Sequence, residues 1–129
     1  MSGELNLPEP LAELTAVSDR YEAALVANDV PVLQELFWNS PHAVRYGATE
    51  NLYGYAEIEA FRNARPAAGL ARDVVRREVI TFGMDTGSVN LEFRRMVNGQ
   101  TRIGRQSQLW RKLPEGWRIT SAHVSLTPA

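Results

Sequence analysis

Residues 88–112, SVNLEFRRMVNGQTRIGRQSQLWRK, decide the fold of this chain. Apolar and polar residues alternate on both sides of Asn98-Gly99, and this is the period of a half-buried β-strand. An Asn-Gly pair suits the two-residue turn of a β-hairpin, because both central positions of that turn take a positive φ. The stretch therefore predicts two antiparallel strands, over 88–97 and 100–112, joined by a tight turn.

The turn also predicts the register of the hairpin, and the register predicts which side chains share a face. Leu91 is expected opposite Gln106, and Val89 opposite Gln108. With a short loop at Pro114-Glu115, Gln106 would lie opposite His123 and Gln108 opposite Ser121. The expected inner face is apolar with polar groups embedded in it, as in a small-molecule pocket. It consists of Val89, Leu91, Phe93, Gln106, Gln108, Trp110, Ile119, Ser121 and His123.

Working outward from the hairpin, residues 72–82 and 117–126 also have the character of strands, so the second half predicts an antiparallel meander. Ser40-Pro41 ends a helix, and residues 42–46 are expected to be extended. The first half has the helical period, with segments at 9–27, 29–38 and 55–64. Ile58 and Phe61 of the last segment are expected to face inward. Helices followed by a meander predict an α+β fold, in a single domain over residues 1–129.

Composition excludes several classes of function. The chain has 129 residues, 44% of them hydrophobic, and no Cys, so a cysteine nucleophile or a thiolate metal site is excluded. Its two His form no helical pair, so a zinc site is not expected.

The net charge of −1 argues against nucleic acid as a partner, and no apolar run approaches the ~20 residues of a membrane span. The acidic start lacks the features of a signal peptide, which predicts a cytoplasmic protein.

Charge is divided unevenly along the chain. Residues 1–61 hold ten acidic and two basic residues, whereas residues 62–129 hold five acidic and twelve basic ones. Thirteen of the fourteen basic residues are Arg, whose planar guanidinium suits bidentate binding of a carboxylate. This pattern favours a small anionic ligand. Ion pairing within the fold is the alternative for each single arginine.

Several segments together resemble a known family: Tyr21 on the first helix, FWNSPHAVRYGATENLYG over 37–54, FRNARP over 61–66, GRQSQLW over 104–110 and GWRITSAHVSL over 116–126. They are similar to the AtzH-like family of the NTF2-like (SnoaL-like) superfamily, which includes proteins associated with the breakdown of oxalurate and of s-triazine-derived ureas. The resemblance implies a cone, with three helices packed in a strongly bent antiparallel sheet. It also implies an amidohydrolase-type or decarboxylating activity on an N-carboxylated urea, with Tyr21 and Arg45 as the key pair and no metal or organic cofactor.

The residues of the key pair each allow two interpretations. Tyr21 lies in the apolar stripe of the first helix, where its hydroxyl either donates a proton to the substrate or bonds to the backbone, as in an ordinary core tyrosine. Arg45 either holds a substrate carboxylate through two parallel hydrogen bonds or forms an exposed salt bridge with Glu50 or Glu57.

Seven further residues are candidates for substrate binding: Gln106, His123, Gln108, Trp38, Trp110, Arg65 and Arg72. The two glutamines and the histidine would orient the plane of a urea, which needs both donors and acceptors; alternatively, the histidine is a core residue. The two tryptophans would form either the core or the pocket wall. The two arginines flank a Pro-Ala-Ala-Gly loop, where they either lie at the entrance of the pocket or carry solvated charges.

These observations predict a cofactor-independent enzyme that cleaves a C–N bond of a small N-carboxylated urea or ureido acid. The alternative is a non-catalytic small-molecule-binding protein, or an accessory subunit of an amidase-family enzyme of ureide breakdown. A homodimer is also expected, because three helices leave the outer face of the sheet uncovered. That face is predicted to carry Asn90, Arg94, Ser107, Thr120 and Ala122.

Overall fold

A computed structural model of the chain describes residues 4–67 and 69–128. Its elements are, in chain order, α1 (Pro8–Ala27), α2 (Val30–Glu35), β1 (Val44–Tyr46), β2 (Asn51–Tyr53), α3 (Tyr55–Ala64), β3 (Asp73–Phe82), β4 (Thr86–Val97), β5 (Gln100–Leu113) and β6 (Gly116–Thr127). The strands form one sheet in the order β2-β1-β6-β5-β4-β3. Three helices followed by an antiparallel meander confirm the predicted α+β class.

The ends of α1 follow from its sequence. Pro8 occupies the first turn, where its missing N–H costs no helical hydrogen bond. Asn28 ends the helix in the left-handed conformation, with a φ of 53°. Asp29 then caps α2, since its Oδ1 accepts a hydrogen bond from the backbone N–H of Val32 at 3.4 Å. Within the described part of the chain, no helix is both long and apolar enough to cross a membrane.

The second helix is shorter than predicted. It ends at Glu35 rather than near Trp38, because the chain leaves the helix to run beside β6. Phe37 forms an isolated parallel bridge with Ile119, and the backbone N–H of Trp38 donates to the Ile119 carbonyl at 2.9 Å. This segment therefore joins the helical layer to the sheet.

The central hairpin has the predicted register. Both residues of Asn98-Gly99 have positive φ, 52° and 78°, as the expected turn requires. Leu91 lies opposite Gln106, and Val89 lies opposite Gln108. All four of these side chains are buried on the inner face of the sheet, against the helices.

The last strand departs from the predicted register at a bulge. Trp110 lies opposite Ile119, as the loop between β5 and β6 predicts, but Leu109 lies opposite Ser121. Thr120 is therefore an extra residue on β6. Because side chains alternate along a strand, one extra residue moves every later side chain of β6 to the other face.

The bulge corrects the predicted faces of the sheet. The two glutamines of β5 lie opposite Ala122 and Val124, rather than opposite Ser121 and His123. The prediction that Ser121 and His123 point inward is wrong, because the bulge turns both to the outer face. The prediction that Ala122 lies on the outer face is also wrong, because its side chain is buried.

Two short strands before α3 extend the sheet. The extended segment predicted over 42–46 contains β1, which pairs in parallel with β6 and places Arg45 beside the buried Ala122. Strand β2 then pairs antiparallel with β1 and was not predicted, because three residues are too few to show a period. The pairing of β1 with β6 turns the Arg45 side chain toward the interior, where it is buried.

The third helix buries a different pair of residues from the one expected. Ile58 is buried as predicted, but Phe61 is only partly buried. Its neighbour Arg62 takes the interior position instead, with no exposed surface. A helix repeats every 3.6 residues, so Ile58 and Arg62 lie one turn apart on the same face.

Candidate functional site

An arginine-lined cavity of about 50 Å³ opens between the helices and the inner face of the sheet. Its apolar wall is formed by Leu25, Leu70, Phe93 and Val124, and its polar wall by Arg45, Arg65, Arg72, Arg95 and Gln106. Four guanidinium groups around so small a space create a positive potential. The cavity is therefore suited to a small anion.

Tyr21 lies one helical turn before Leu25 and is fully buried behind this wall, without forming part of it. Its ring packs against Phe37 and Trp110, with centroids at 6.3 and 6.1 Å. Its hydroxyl oxygen accepts a hydrogen bond from Arg62 Nη2 at 2.7 Å. Within the described residues, the hydroxyl donates to no backbone or side-chain acceptor. Its bonding partner is thus a cation, rather than the backbone group that an ordinary core tyrosine would find.

Three arginines act on the ionisation of Tyr21. Burial raises the pKa of the phenol, because a phenolate loses its hydration in the interior. The charges of Arg62, Arg45 and Arg72, together with the hydrogen bond from Arg62, outweigh burial and hold the pKa of Tyr21 below its usual value. A proton donor whose pKa is closer to neutral is the better general acid.

Arg45 reaches the cavity from β1 and forms an ion pair with Glu50, one of the two partners that the sequence allowed. Its side chain is only 7% exposed, and its Nη1 donates to Glu50 Oε2 at 3.1 Å, so the ion pair exists but is not an exposed one. Gly47 makes room for this pair, since a Cβ there would lie 1.6 Å from the Glu50 carboxylate. Burial lowers the pKa of Arg45, and the charge of Arg62 lowers it further, against the opposing influence of Tyr21 and Glu50. Its Nε is buried without a hydrogen-bond partner.

Arg62 is a candidate functional residue that the sequence analysis missed. It is fully buried, and no carboxylate of the described residues lies within 4.0 Å of it. Its guanidinium lies 5.4 Å from the Phe37 ring centroid and 5.8 Å from that of Tyr21. A buried cation without a counter-ion is costly, and such groups cluster at functional sites. Its spacing of four residues from Ile58 is the signal that could have revealed it.

Arg72 is held at the cavity by three contacts. It forms an ion pair with Glu22 on α1, and its Nη2 also donates to Gln106 Oε1 at 2.8 Å. Its guanidinium lies 4.3 Å above the centre of the Phe93 ring. The side chain is 5% exposed, so the alternative of a solvated charge is wrong for Arg72.

Two more arginines complete the cavity wall. Arg65 is partly buried and donates to Asn28 Oδ1 at 3.3 Å, and burial lowers the pKa of Arg65 to about 10. Arg95 donates to the Gly69 carbonyl at 3.1 Å. Arg95 was also missed, although it follows Phe93 by two residues on β4 and so shares its inner face.

The structure separates four predicted binding residues from the cavity. Gln108 Oε1 accepts a hydrogen bond from Trp110 Nε1 at 2.9 Å, and both side chains are buried in the core. Trp38 is partly buried and packs near His42, with ring centroids 6.3 Å apart. His123 is exposed on the outer face, because the bulge at Thr120 turns the later side chains of β6 to the other side of the sheet. The predicted residues that do come together are Tyr21, Arg45, Arg65, Arg72 and Gln106.

No three His, Asp or Glu side chains among residues 4–67 and 69–128 converge as a metal-binding group would. The polar wall of the cavity instead carries guanidinium donors and one amide. This donor set suits carboxylate oxygens and a urea carbonyl.

Comparison with known proteins now identifies the family. The chain matches the AtzH-like family over residues 3–129. It belongs to that family. This AtzH-like chain is 53% identical to a crystallised protein of unknown function from Pectobacterium atrosepticum, with a TM-score of 0.94 and 98% of each chain covered. It is 39% identical to a cystatin-like fold protein from Burkholderia xenovorans, with a TM-score of 0.91 and again 98% of each chain covered.

A more distant similarity confirms the fold expected of an AtzH-like protein. An NTF2-like superfamily protein from Salmonella enterica is 24% identical, with a TM-score of 0.75 over 94% of this chain and 92% of its own. At that identity the likeness shows the NTF2-like fold alone. Comparison with curated proteins finds no match to the chain.

Proposed function

We propose that this AtzH-like protein cleaves a C–N bond of a small N-carboxylated urea or ureido acid, without a metal or organic cofactor. For an N-carboxylated urea the bond is the one between nitrogen and the carboxyl carbon, and in the simplest form R–NH–CO₂⁻ and a proton give R–NH₂ and CO₂. If water attacks the carboxyl carbon, the same bond breaks and the carbon leaves as bicarbonate.

The observation that carries the proposal is a buried proton donor beside guanidinium groups. The Tyr21 oxygen accepts from Arg62, and its own proton has no acceptor among the described residues. When a C–N bond breaks, the nitrogen needs a proton. Tyr21 lies behind the cavity wall, and in this proposal its hydroxyl supplies the proton once a wall residue has moved to admit the ligand. The charge of Arg45 acts on Tyr21, and Arg45 also lines the cavity, where it would hold a carboxylate.

The remaining polar wall supports a urea as the body of the ligand. Gln106 Oε1 accepts from Arg72, which leaves the amide N–H groups of Gln106 as donors for a urea carbonyl. Phe93 and Leu70 supply the flat apolar surface. Because Arg45 and Gln106 are buried, charge-assisted hydrogen bonds to the ligand are stronger there than in solution.

The test is turnover by the purified protein alone on a panel of N-carboxylated ureas and ureido acids, with CO₂ and bicarbonate followed separately. We expect the wild type to release one of them, and Arg45→Ala to lose the activity. Arg76→Ala is the matched control, because Arg76 is 73% exposed and, in the part of the chain that the structure describes, pairs only with Glu78. Equal turnover in Arg45→Ala and wild type would overturn the site, and no turnover of any member of the panel would overturn the reaction.

The size of the cavity supports a second candidate, a non-catalytic binding or accessory role. A cavity of roughly 150 Å³ accepts benzene, whereas this one measures about 50 Å³. A ureido acid therefore enters only after a wall residue such as Arg72 moves. An amidase-family partner could drive that movement. Turnover that requires such a partner enzyme would favour the accessory role.

A further inference from the structure

Arg62 is buried beside Tyr21, and most of its hydrogen-bonding groups have no partner among residues 4–67 and 69–128. Its Nη2 donates to the Tyr21 hydroxyl at 2.7 Å, while its Nε and Nη1 are buried without a partner in those residues. It does not line the cavity, so it is not placed to hold a ligand directly. An interior cation of this kind is unfavourable for folding, so its presence points to a role toward a neighbouring group. The only hydrogen-bond partner of its side chain among the described residues is Tyr21.

The direction of the hydrogen bond between the two residues follows from their chemistry. A guanidinium has only donors, so the Tyr21 oxygen is the acceptor. The rings of Phe37 and Trp110 flank the Tyr21 ring and offer no acceptor for its proton at close range. The hydroxyl proton is therefore directed away from Arg62, and one phenol oxygen lone pair is already occupied by the cation.

Several elements place charge around the Tyr21 hydroxyl, and they favour its ionised form. Burial raises the pKa of Tyr21, but the surrounding cations outweigh burial and lower it. Phe37, which follows α2, and Trp110 on β5 pack on the Tyr21 ring and carry no charge. The charged groups are Arg62 from α3, Arg45 from β1 with its partner Glu50, and Arg72 with its partner Glu22.

We propose that Arg62 is a positioning residue, which directs the Tyr21 proton toward the departing nitrogen and stabilises the phenolate that remains. This inference rests on the proposed C–N cleavage. The C–N electron pair moves to nitrogen as CO₂ leaves, and nitrogen takes the proton from the Tyr21 oxygen. Water then returns a proton to the phenolate, so that Tyr21 is regenerated.

A pH titration of the phenolate absorbance tests the influence of Arg62 on Tyr21 without any substrate. The chain has four tyrosines. The pKa of Tyr53 is raised by its hydrogen bond with Tyr46, and that of Tyr55 is raised by burial, so the lowest transition is expected from Tyr21. It should be absent in Tyr21→Phe and should move to higher pH in Arg62→Met.

A control variant and a second Arg62 variant show whether a shift of the transition is specific to the charge of Arg62. Arg20→Met removes a charge next to Tyr21 on α1, but Arg20 is 47% exposed and pairs with Glu35, so the transition should not move. Arg62→Met removes a buried unpaired charge at similar volume and should fold. Arg62→Lys keeps the charge without the planar donor group, and should recover part of the shift. A transition that stays at the wild-type pH in both Arg62 variants would overturn the proposal.

Kinetics separate the positioning role from a structural one. In Arg62→Met we expect kcat to fall about 10-fold or more, because a less acidic donor transfers its proton more slowly, with little change in KM. The alkaline limb of the pH–rate profile should move upward together with the phenolate transition. An unchanged profile would overturn the proposal. If the wild type has no turnover but the transition moves as expected, the reaction is overturned and the control of Tyr21 by Arg62 is upheld.

Discussion

The Tyr21 hydroxyl is the most informative single group of the molecule, because its oxygen is bonded and its proton is not. Tyr21→Phe removes that oxygen and leaves the ring between Phe37 and Trp110. We expect turnover to fall by roughly 10²–10⁴, the range for a positioned proton donor. We also expect a loss of about 1–3 kcal/mol in the free energy of unfolding, because Arg62 Nη2 loses its partner.

Both effects of Tyr21→Phe are measurable on one preparation, by thermal unfolding and by turnover. Wild-type turnover in the folded variant would remove Tyr21 from the catalytic residues. In that case Arg45 would remain as a binding residue without an identified acid.

Arg45 should not tolerate replacement by lysine. Arg45→Lys keeps the positive charge but loses the planar pair of donors, so a two-point grip on a carboxylate cannot form. We expect Arg45→Lys to be nearly as inactive as Arg45→Ala, in steady-state kinetics on the best substrate of the panel. Because Glu50 loses a buried partner in the alanine variant, that variant should also unfold at lower denaturant concentration. Recovery of most turnover in Arg45→Lys would show that the residue supplies only its charge.

The periodicity of the sequence could have predicted Arg62 and Arg95 as interior residues, but it could not have predicted the outward orientation of His123. Arg62 follows Ile58 by one helical turn, and Arg95 follows Phe93 by one strand repeat, so periodicity alone places both inside. His123 was assigned to the wrong face because of the bulge at Thr120. No glycine or proline marks that position, and the extra residue reflects the bending of the whole sheet.

At the scale of elements, the best-predicted part is the hairpin of β4 and β5. Asn98-Gly99 permits a two-residue turn, and that turn determines the pairing of 24 residues without help from the rest of the fold. The short strands β1 and β2 depend instead on β6 as a template. The family resemblance could therefore identify Arg45 as a candidate site residue. The orientation of its side chain depends on the parallel pairing of β1 with β6, which the sequence does not reveal.

Gly104 tests how the hairpin shapes the cavity. A Cβ at this position would lie 2.2 Å from Cζ of Phe93, the ring that supports Arg72. We expect Gly104→Ala to lose roughly 1–3 kcal/mol of stability through overpacking, and to weaken the binding of a carboxylate ligand. Thermal unfolding and ligand titration measure the two effects, with Thr101→Ala on the exposed start of β5 as the control. A wild-type melting temperature in Gly104→Ala would mean that the ring has room to move.

At the scale of the molecule, the uneven charge distribution leads to ion pairs between the two halves of the chain. Ion pairs join the acidic α1 to the basic second half, as Glu22 with Arg72, Asp19 with Arg77 at 2.6 Å and Glu13 with Lys112 at 2.8 Å. Composition could predict such pairs. It could not predict that Arg45 and Arg62, from different elements, would meet around one tyrosine, because that depends on the closure of the sheet over the helices.

The outer face of the sheet is where we expect a second copy to bind. It carries a concavity of about 380 Å³ with Ser107 and His123 in its wall, and Leu109 is 44% exposed there. We expect light scattering at micromolar concentration to give a dimer mass, and Leu109→Glu to give a monomer. Met84→Glu, in the turn between β3 and β4, is the control. A monomer mass for the wild type would contradict the dimer.

The most direct test of the account is a crystal structure of the Tyr21→Phe variant soaked with an N-carboxylated urea. We predict the ligand in the arginine-lined cavity, with a carboxylate bonded to the Arg45 guanidinium and the carbamate nitrogen next to the ring at position 21. Movement of Arg72 off the cavity should accompany binding. A ligand bound only in the outer concavity, with the Arg45–Glu50 pair undisturbed and the cavity closed, would contradict the account.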